Sequence, residues 1–103
     1  MALSNFHIKN GNIFENGKAV EMKILNGTEI KIQAKGSGTY KVIGTLWDGT
    51  PKTLPLVDMS TFDIVDSAEN DTVYCTDVAA LTTVTVEEVS AGIESIYIDI
   101  YVR

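Results

Sequence analysis

Apolar and polar residues alternate one by one along several stretches of the chain. Residues 29–33 and 82–87 follow this pattern, and residues 95–102 extend it further. In that last stretch one face carries isoleucines and a valine, and the other carries Tyr97, Asp99 and Tyr101. A period of two is typical of β-strands with one buried face. Valine, isoleucine and threonine are abundant, and their branched side chains fit a pleated sheet better than a helix.

Turn-forming residue pairs separate these stretches. Asn-Gly or Asp-Gly occurs at residues 10–11, 16–17, 26–27 and 48–49. Both pairs accept the positive φ angles of tight hairpin turns, so the N-terminal quarter is predicted to be a meander of short strands. Further strands are expected over residues 39–47, 53–58, 62–66 and 72–77. Residues 78–81 have the only helical character and are expected to form a corner of a single turn.

These patterns predict an all-β fold. The closely spaced strands favour an antiparallel β-sandwich of jelly-roll or Ig-like type with about eight or nine short strands, and a small barrel is the alternative. A chain of 103 residues is the size of one domain. Residues 1–103 are therefore expected to form a single β-sandwich domain, in which residues 1–14 are a candidate N-terminal hairpin arm.

The charge is unevenly distributed along the chain. Seven lysines and four acidic residues precede residue 53, whereas ten acidic residues and only Arg103 follow, for a net charge of −6. We expect a polarised molecule if the two halves separate in space. An acidic chain does not suit the phosphate backbone of nucleic acid, and no apolar run is long enough to span a membrane. The single Cys and the absence of a signal peptide predict a complete polypeptide made in a reducing cytoplasm.

Residues that could carry chemistry are few. His7 is the only histidine and lies on a short strand near the terminus; Cys75 lies within a strand with no cationic neighbour in sequence. We therefore expect His7 to be an incidental surface residue and Cys75 to be a small, half-buried side chain. The acidic segment 58–71 has oxygen ligands but not the spacing of a calcium loop, which favours a solvated acidic edge. No catalytic residue, metal site or cofactor is predicted, and the chain is expected not to be an enzyme.

The aromatic residues indicate a binding surface. Tyr97 and Tyr101 share a strand face, and Tyr40 on a neighbouring strand could join them. Such a row suits either a sugar or a protein partner, and protein interfaces are enriched in tyrosine. The predicted interface combines this face with apolar residues of the N-terminal arm: Phe6, Ile8, Ile13, Phe14, Tyr97 and Tyr101.

Residues 38–103 resemble the small β-sandwich proteins of tailed-bacteriophage virions, which include capsid decoration proteins, head fibres and neck or tail accessory domains. The resemblance rests on the strand and Asp-Gly-Thr turn of residues 38–50, the Leu-Pro-Leu strand of 54–56, the Tyr-bearing strand of 72–74 and the corner of 77–81. Ala80 stands where the family usually has a corner glycine, and the arginine that commonly follows the corner is absent.

The resemblance implies a non-enzymatic structural protein of a tailed bacteriophage. It would be a capsid decoration or accessory protein, made in the host bacterial cytoplasm and located in the virion. Its partners would be other copies of itself, as a symmetric homo-oligomer such as a trimer, and the major capsid or other virion proteins, with no nucleic acid and no membrane. The alternatives are a neck or tail accessory protein and a cell-surface or carbohydrate-binding β-sandwich module; a small β-barrel enzyme is the least favoured.

Overall fold

The computed structural model describes residues 2–8, 18–23 and 27–102, with side chains over 29–101. These residues form eleven strands and no helix, so no described helix could cross a membrane. The strands are β1 (Ala2–Ile8), β2 (Lys18–Lys23), β3 (Gly27–Gly36), β4 (Thr39–Thr45), β5 (Pro51–Thr53), β6 (Leu56–Asp58), β7 (Ile64–Val65), β8 (Ala68–Glu69), β9 (Tyr74–Asp77), β10 (Thr83–Ser90) and β11 (Ile93–Val102). Nine of them have three or more residues, as predicted.

The strands form two antiparallel sheets, and the predicted β-sandwich is confirmed. The larger sheet has the order β1-β11-β3-β9-β6-β7, and the smaller has β2-β10-β4-β5, with β8 pairing with the first residues of β4. The predicted N-terminal meander is wrong, because β1 and β2 lie in different sheets. β1 pairs instead with β11, and β2 with β10, so each lies beside one of the last two strands of the chain. The turns predicted at 10–11 and 16–17 lie outside the described residues.

The single strand predicted over residues 53–58 is also wrong. Leu54 and Pro55 divide it into β5 of the smaller sheet and β6 of the larger. Leu54 is buried, and its backbone N–H donates to the carbonyl oxygen of Val42 at 2.8 Å. Pro55 has no N–H to offer a ladder, so the chain changes sheets at the point where pairing is interrupted.

Two neighbouring connections join the sheets at one end of the sandwich, β3 to β4 and β10 to β11. The Ser37 N–H donates to the carbonyl oxygen of Gly92 at 3.0 Å, which holds the two turns together. Gly36 and Gly92 have φ angles of 122° and 121°, a region that L side chains rarely adopt, and a Cβ on either would collide with the facing turn. The close crossing of the turns therefore requires glycine on both.

The core lies between the sheets and follows the predicted period of two. Along β4, buried and half-buried residues alternate without interruption. The buried apolar residues are Ile30, Ile32, Ala34, Tyr40, Val42, Leu54, Leu56, Ala68, Tyr74, Val78, Val84, Val86, Ile93, Ile96 and Ile98. Val78 begins the corner expected over residues 78–81, where the Leu81 N–H donates to the Val78 carbonyl oxygen at 3.2 Å. Ala80, within this corner, has a positive φ of 68°.

Candidate functional surfaces

The Cys75 thiol is half-buried on β9, as the sequence predicts. It donates a hydrogen bond to Glu29 Oε2 at 2.9 Å. Burial, reinforced by that carboxylate, raises the pKa of Cys75 to about 11. The thiol is therefore protonated at neutral pH and is a poor nucleophile. His7 lies on β1, where its backbone pairs with that of Tyr97.

The acidic segment 58–71 is organised by turns. Asp58 Oδ1 accepts hydrogen bonds from the Ser60 backbone N–H at 2.8 Å and from the Ser60 hydroxyl at 2.7 Å. These bonds lower the pKa of Asp58 below its ordinary value. At the other end of the segment, Asp71 forms an ion pair with Lys35 at 2.7 Å. Within the described part of the chain, no three Asp, Glu, His or Cys side chains are grouped as metal ligands.

The predicted row of three tyrosines is wrong in one member. Tyr97 and Tyr101 are half-buried on β11, on the face opposite to the buried Ile96 and Ile98. The Lys31 ammonium lies over the Tyr101 ring, 5.1 Å from its centroid. Tyr40 cannot join them, because it belongs to β4 of the other sheet and is fully buried in the core.

The predicted N-terminal interface residues lie partly within the described structure. Residues 2–8 form an edge strand of the larger sheet, and Phe6 and Ile8 pair with Ile98 and Ile96 of β11 in the same chain. The interface role of these positions and the arm over 1–14 stay predictions, and Ile13 and Phe14 lie outside the described residues.

The predicted separation of basic and acidic halves is wrong. The order of the strands inserts β11 and β9 on either side of β3, and β10 between β2 and β4, so the two halves of the chain are interleaved in both sheets. Basic side chains of the first half consequently meet acidic ones of the second. Lys41 lies 3.5 Å from Glu87 in addition to the Lys35–Asp71 pair. Charge polarity must therefore be sought between faces of the sandwich, not between halves of the sequence.

An exposed apolar surface lies on the β6–β7 hairpin and the segment beside it. We call it the hairpin patch; it consists of Met59, Phe62, Ile64 and Val73, whose exposed fractions are 38%, 73%, 69% and 36%. The Met59 N–H donates to the Val73 carbonyl oxygen at 2.9 Å, which joins the hairpin to the start of β9. Large exposed apolar side chains on neighbouring segments commonly mark an interaction site. The sequence pattern over 62–66 predicts a strand but does not indicate which side of it faces solvent.

A groove of about 440 Å³ lies on the outer face of the smaller sheet. We call it the lysine groove. Ile43 lies at its middle, in register with Thr85 of β10 on one side and Thr53 of β5 on the other. Lys41 and Lys52 also line it. Glu87 lines it as well, so the groove combines a half-buried apolar floor with hydroxyl groups, two lysines and one glutamate.

No family model matches the sequence, and no curated protein matches it significantly. Two solved structures share its fold. The SPBc2 prophage-derived protein YomS matches with a TM-score of 0.70 and 16% sequence identity, over 95% of this chain and 94% of that one. The PBSX exported protein XepA matches with a TM-score of 0.75 and 13% identity, over 94% of this chain but 37% of that one. Both structural neighbours are phage-derived proteins.

Proposed function

We propose that this chain is a non-enzymatic structural protein of a tailed-bacteriophage virion. Its role is that of a capsid decoration or other accessory protein, which docks on the particle as a symmetric oligomer. The observation that carries the proposal is the likeness in fold to the prophage-derived YomS, which extends over nearly the whole of both chains. Because the fold by itself does not fix a function, the surfaces of the sandwich must supply the further support for this one.

The surfaces of the sandwich support a docking role. The hairpin patch exposes four large apolar side chains, which cost solubility unless a partner covers them. An apolar centre within a polar surround is the usual anatomy of a protein–protein interface. The most exposed aromatic residue, Trp47 at 86% exposure, lies apart from this patch in the β4–β5 turn and offers a second contact point.

The proposal is tested by co-sedimentation. Particles of the phage that encodes the chain are purified through a density gradient, and the protein is followed with an antibody in the particle and free fractions. We expect it to migrate with the particles in a fixed number of copies. Particles that lack the protein, or protein that leaves them during mild washing while the capsid proteins stay, would contradict a structural role in the virion.

A second candidate is favoured by the other structural neighbour. Because XepA is described as an exported protein and the matched region is 37% of its length, the fold also occurs as one module of a longer exported protein. The second candidate is therefore a phage module that acts at the host cell surface. The same fractionation discriminates the two: a surface module would be recovered from the cell envelope or the medium during infection, and not from particles.

A further inference from the structure

The hairpin patch contains Phe62, a residue with a strained backbone whose side chain is not buried in the single chain. Phe62 has a φ of 65°, although a bulky residue in the left-handed region is destabilised by roughly 1–2 kcal/mol. Its ring is 73% exposed, so it gains little from packing in the single chain. The turn nevertheless holds it firmly, since the Phe62 N–H donates to the Asp58 carbonyl oxygen at 2.7 Å. Strain of this kind is characteristic of positions held for function.

Carboxylates surround the hairpin patch. Asp63 and Asp66 flank β7, and Asp58 is the last residue of its partner strand β6. Within the described residues, neither Asp63 nor Asp66 takes part in an ion pair, because the pairs found are Lys35–Asp71 and Lys41–Glu87. The surface is therefore an apolar centre with an acidic rim. Such a rim disfavours docking of two identical patches face to face, because the like charges would meet.

The lysine groove has the complementary character. Its floor is the half-buried Ile43, and its lining carries two lysines against one glutamate, Lys41 and Lys52 against Glu87. A volume of about 440 Å³ leaves room for an aromatic side chain over that floor. Of the two lysines, Lys52 has no ion pair among the described residues, and Lys41 is held at 3.5 Å by Glu87, which is a loose contact that a closer carboxylate can replace.

We propose that the hairpin patch of one copy docks into the lysine groove of a second copy. Phe62 covers the groove floor at Ile43, and the rim carboxylates Asp63 and Asp66 face Lys41 and Lys52. The two surfaces differ, so the contact is heterologous and repeats from copy to copy in one direction, which closes into a ring when the rotation allows it. This inference rests on the proposed function, for which it supplies the surfaces that build the symmetric oligomer.

The test is sedimentation velocity of the full chain over a range of concentrations. We expect the wild-type chain to self-associate, and to do so more weakly at high salt because exposed charges are screened. Lys41→Glu with Lys52→Glu, and separately Asp63→Lys with Asp66→Lys, should each leave only monomer. An equimolar mixture of the two double variants should associate again, because each then offers the surface that the other has lost.

The remaining variants separate docking from folding. Phe62→Asn should weaken association at least about tenfold without loss of stability, because asparagine tolerates the left-handed region better than phenylalanine. Lys31→Glu with Lys35→Glu is the matched control, since it changes the net charge equally but lies on the larger sheet, and it should associate as the wild type does. Circular dichroism establishes that every variant is folded.

Three results would overturn the proposed contact. They are a wild-type chain that is monomeric at all concentrations, charge-reversal variants that associate normally, and a mixture that does not recover association. A monomeric chain that still co-sediments with phage particles would refute this contact alone and leave the virion role standing. A chain that associates as described but is absent from particles would refute the virion role and leave the contact standing.

Discussion

The Tyr40 hydroxyl is buried without a hydrogen-bond partner among the described residues. Tyr40 is fully buried on β4 between the sheets, and burial, assisted by the nearby Tyr74, raises its pKa well above the ordinary value. An unsatisfied buried polar group costs about 1–3 kcal/mol in desolvation. We therefore expect Tyr40→Phe, which removes only the hydroxyl oxygen, to stabilise the protein.

The expected gain is about 1 kcal/mol, the lower end of that range, because loss of the oxygen also leaves a small void. Urea unfolding should show a higher midpoint with an unchanged m-value, and the melting temperature should rise by about 4–8 °C for a domain of this size. Destabilisation by 1 kcal/mol or more would refute the reasoning, because it would mean that a buried water satisfies the hydroxyl.

Tyr74→Phe is the matched control, since Tyr74 lies in the same core and its hydroxyl does have a partner. It accepts a hydrogen bond from the Glu69 backbone N–H at 3.0 Å, so its removal should destabilise the protein by about 1 kcal/mol. The pH dependence gives a further check. Because the pKa of Tyr40 is raised on folding, its contribution is complete below about pH 10 and is lost as the pH rises above it. The advantage of Tyr40→Phe should therefore grow above pH 10.

Four other substitutions test the local reasoning. Ala80→Gly should raise the free energy of unfolding by about 0.5–1 kcal/mol in urea melts, because glycine removes the penalty of a positive φ but has a more flexible unfolded state. Gly36→Ala should lower the free energy of unfolding by more than about 2 kcal/mol, since its Cβ would strike the facing turn. Gly49→Ala should lower it by only about 1 kcal/mol, because the space around a Cβ at that position is open. Glu29→Gln should lower the pKa of the Cys75 thiol, which donates to the Glu29 carboxylate. The rate of reaction of this thiol with a disulfide reagent should then begin to rise at a lower pH than in the wild type. An unchanged pH profile would show that burial alone raises the pKa of Cys75.

The strands with long alternating patterns are predictable from sequence. Those over 39–45, 83–90 and 93–102 agree closely with expectation, because a period of two over seven or more residues leaves few alternatives. The corner at 78–81 is also predictable. The divided strand at 54–55 is not, since the pattern there is continuous and only the pairing partners differ. The region 62–66 contracts to the two residues of β7 because its neighbours form the hairpin turn.

The candidate surfaces are less predictable than the strands. Tyr97 and Tyr101 are correctly placed on one outer face, because both are defined by alternation against buried isoleucines. Tyr40 follows the same alternation, but it shares its strand face with Val42, and that face is the core side. For Phe62 and Ile64 the sequence offers no neighbour that assigns a face, and exposure appears only once β7 is placed at the edge of the larger sheet.

Local side-chain periodicity and the φ angles of a few residues are enough to predict the class of fold, the longer strands and the turn at 48–49 from the sequence. Only the tertiary structure decided which strands are neighbours, since pairing of β1 with β11 and of β2 with β10 joins residues from opposite ends of the chain. That pairing interleaves the basic and acidic halves of the chain. It also decides where the lysine groove and the hairpin patch lie.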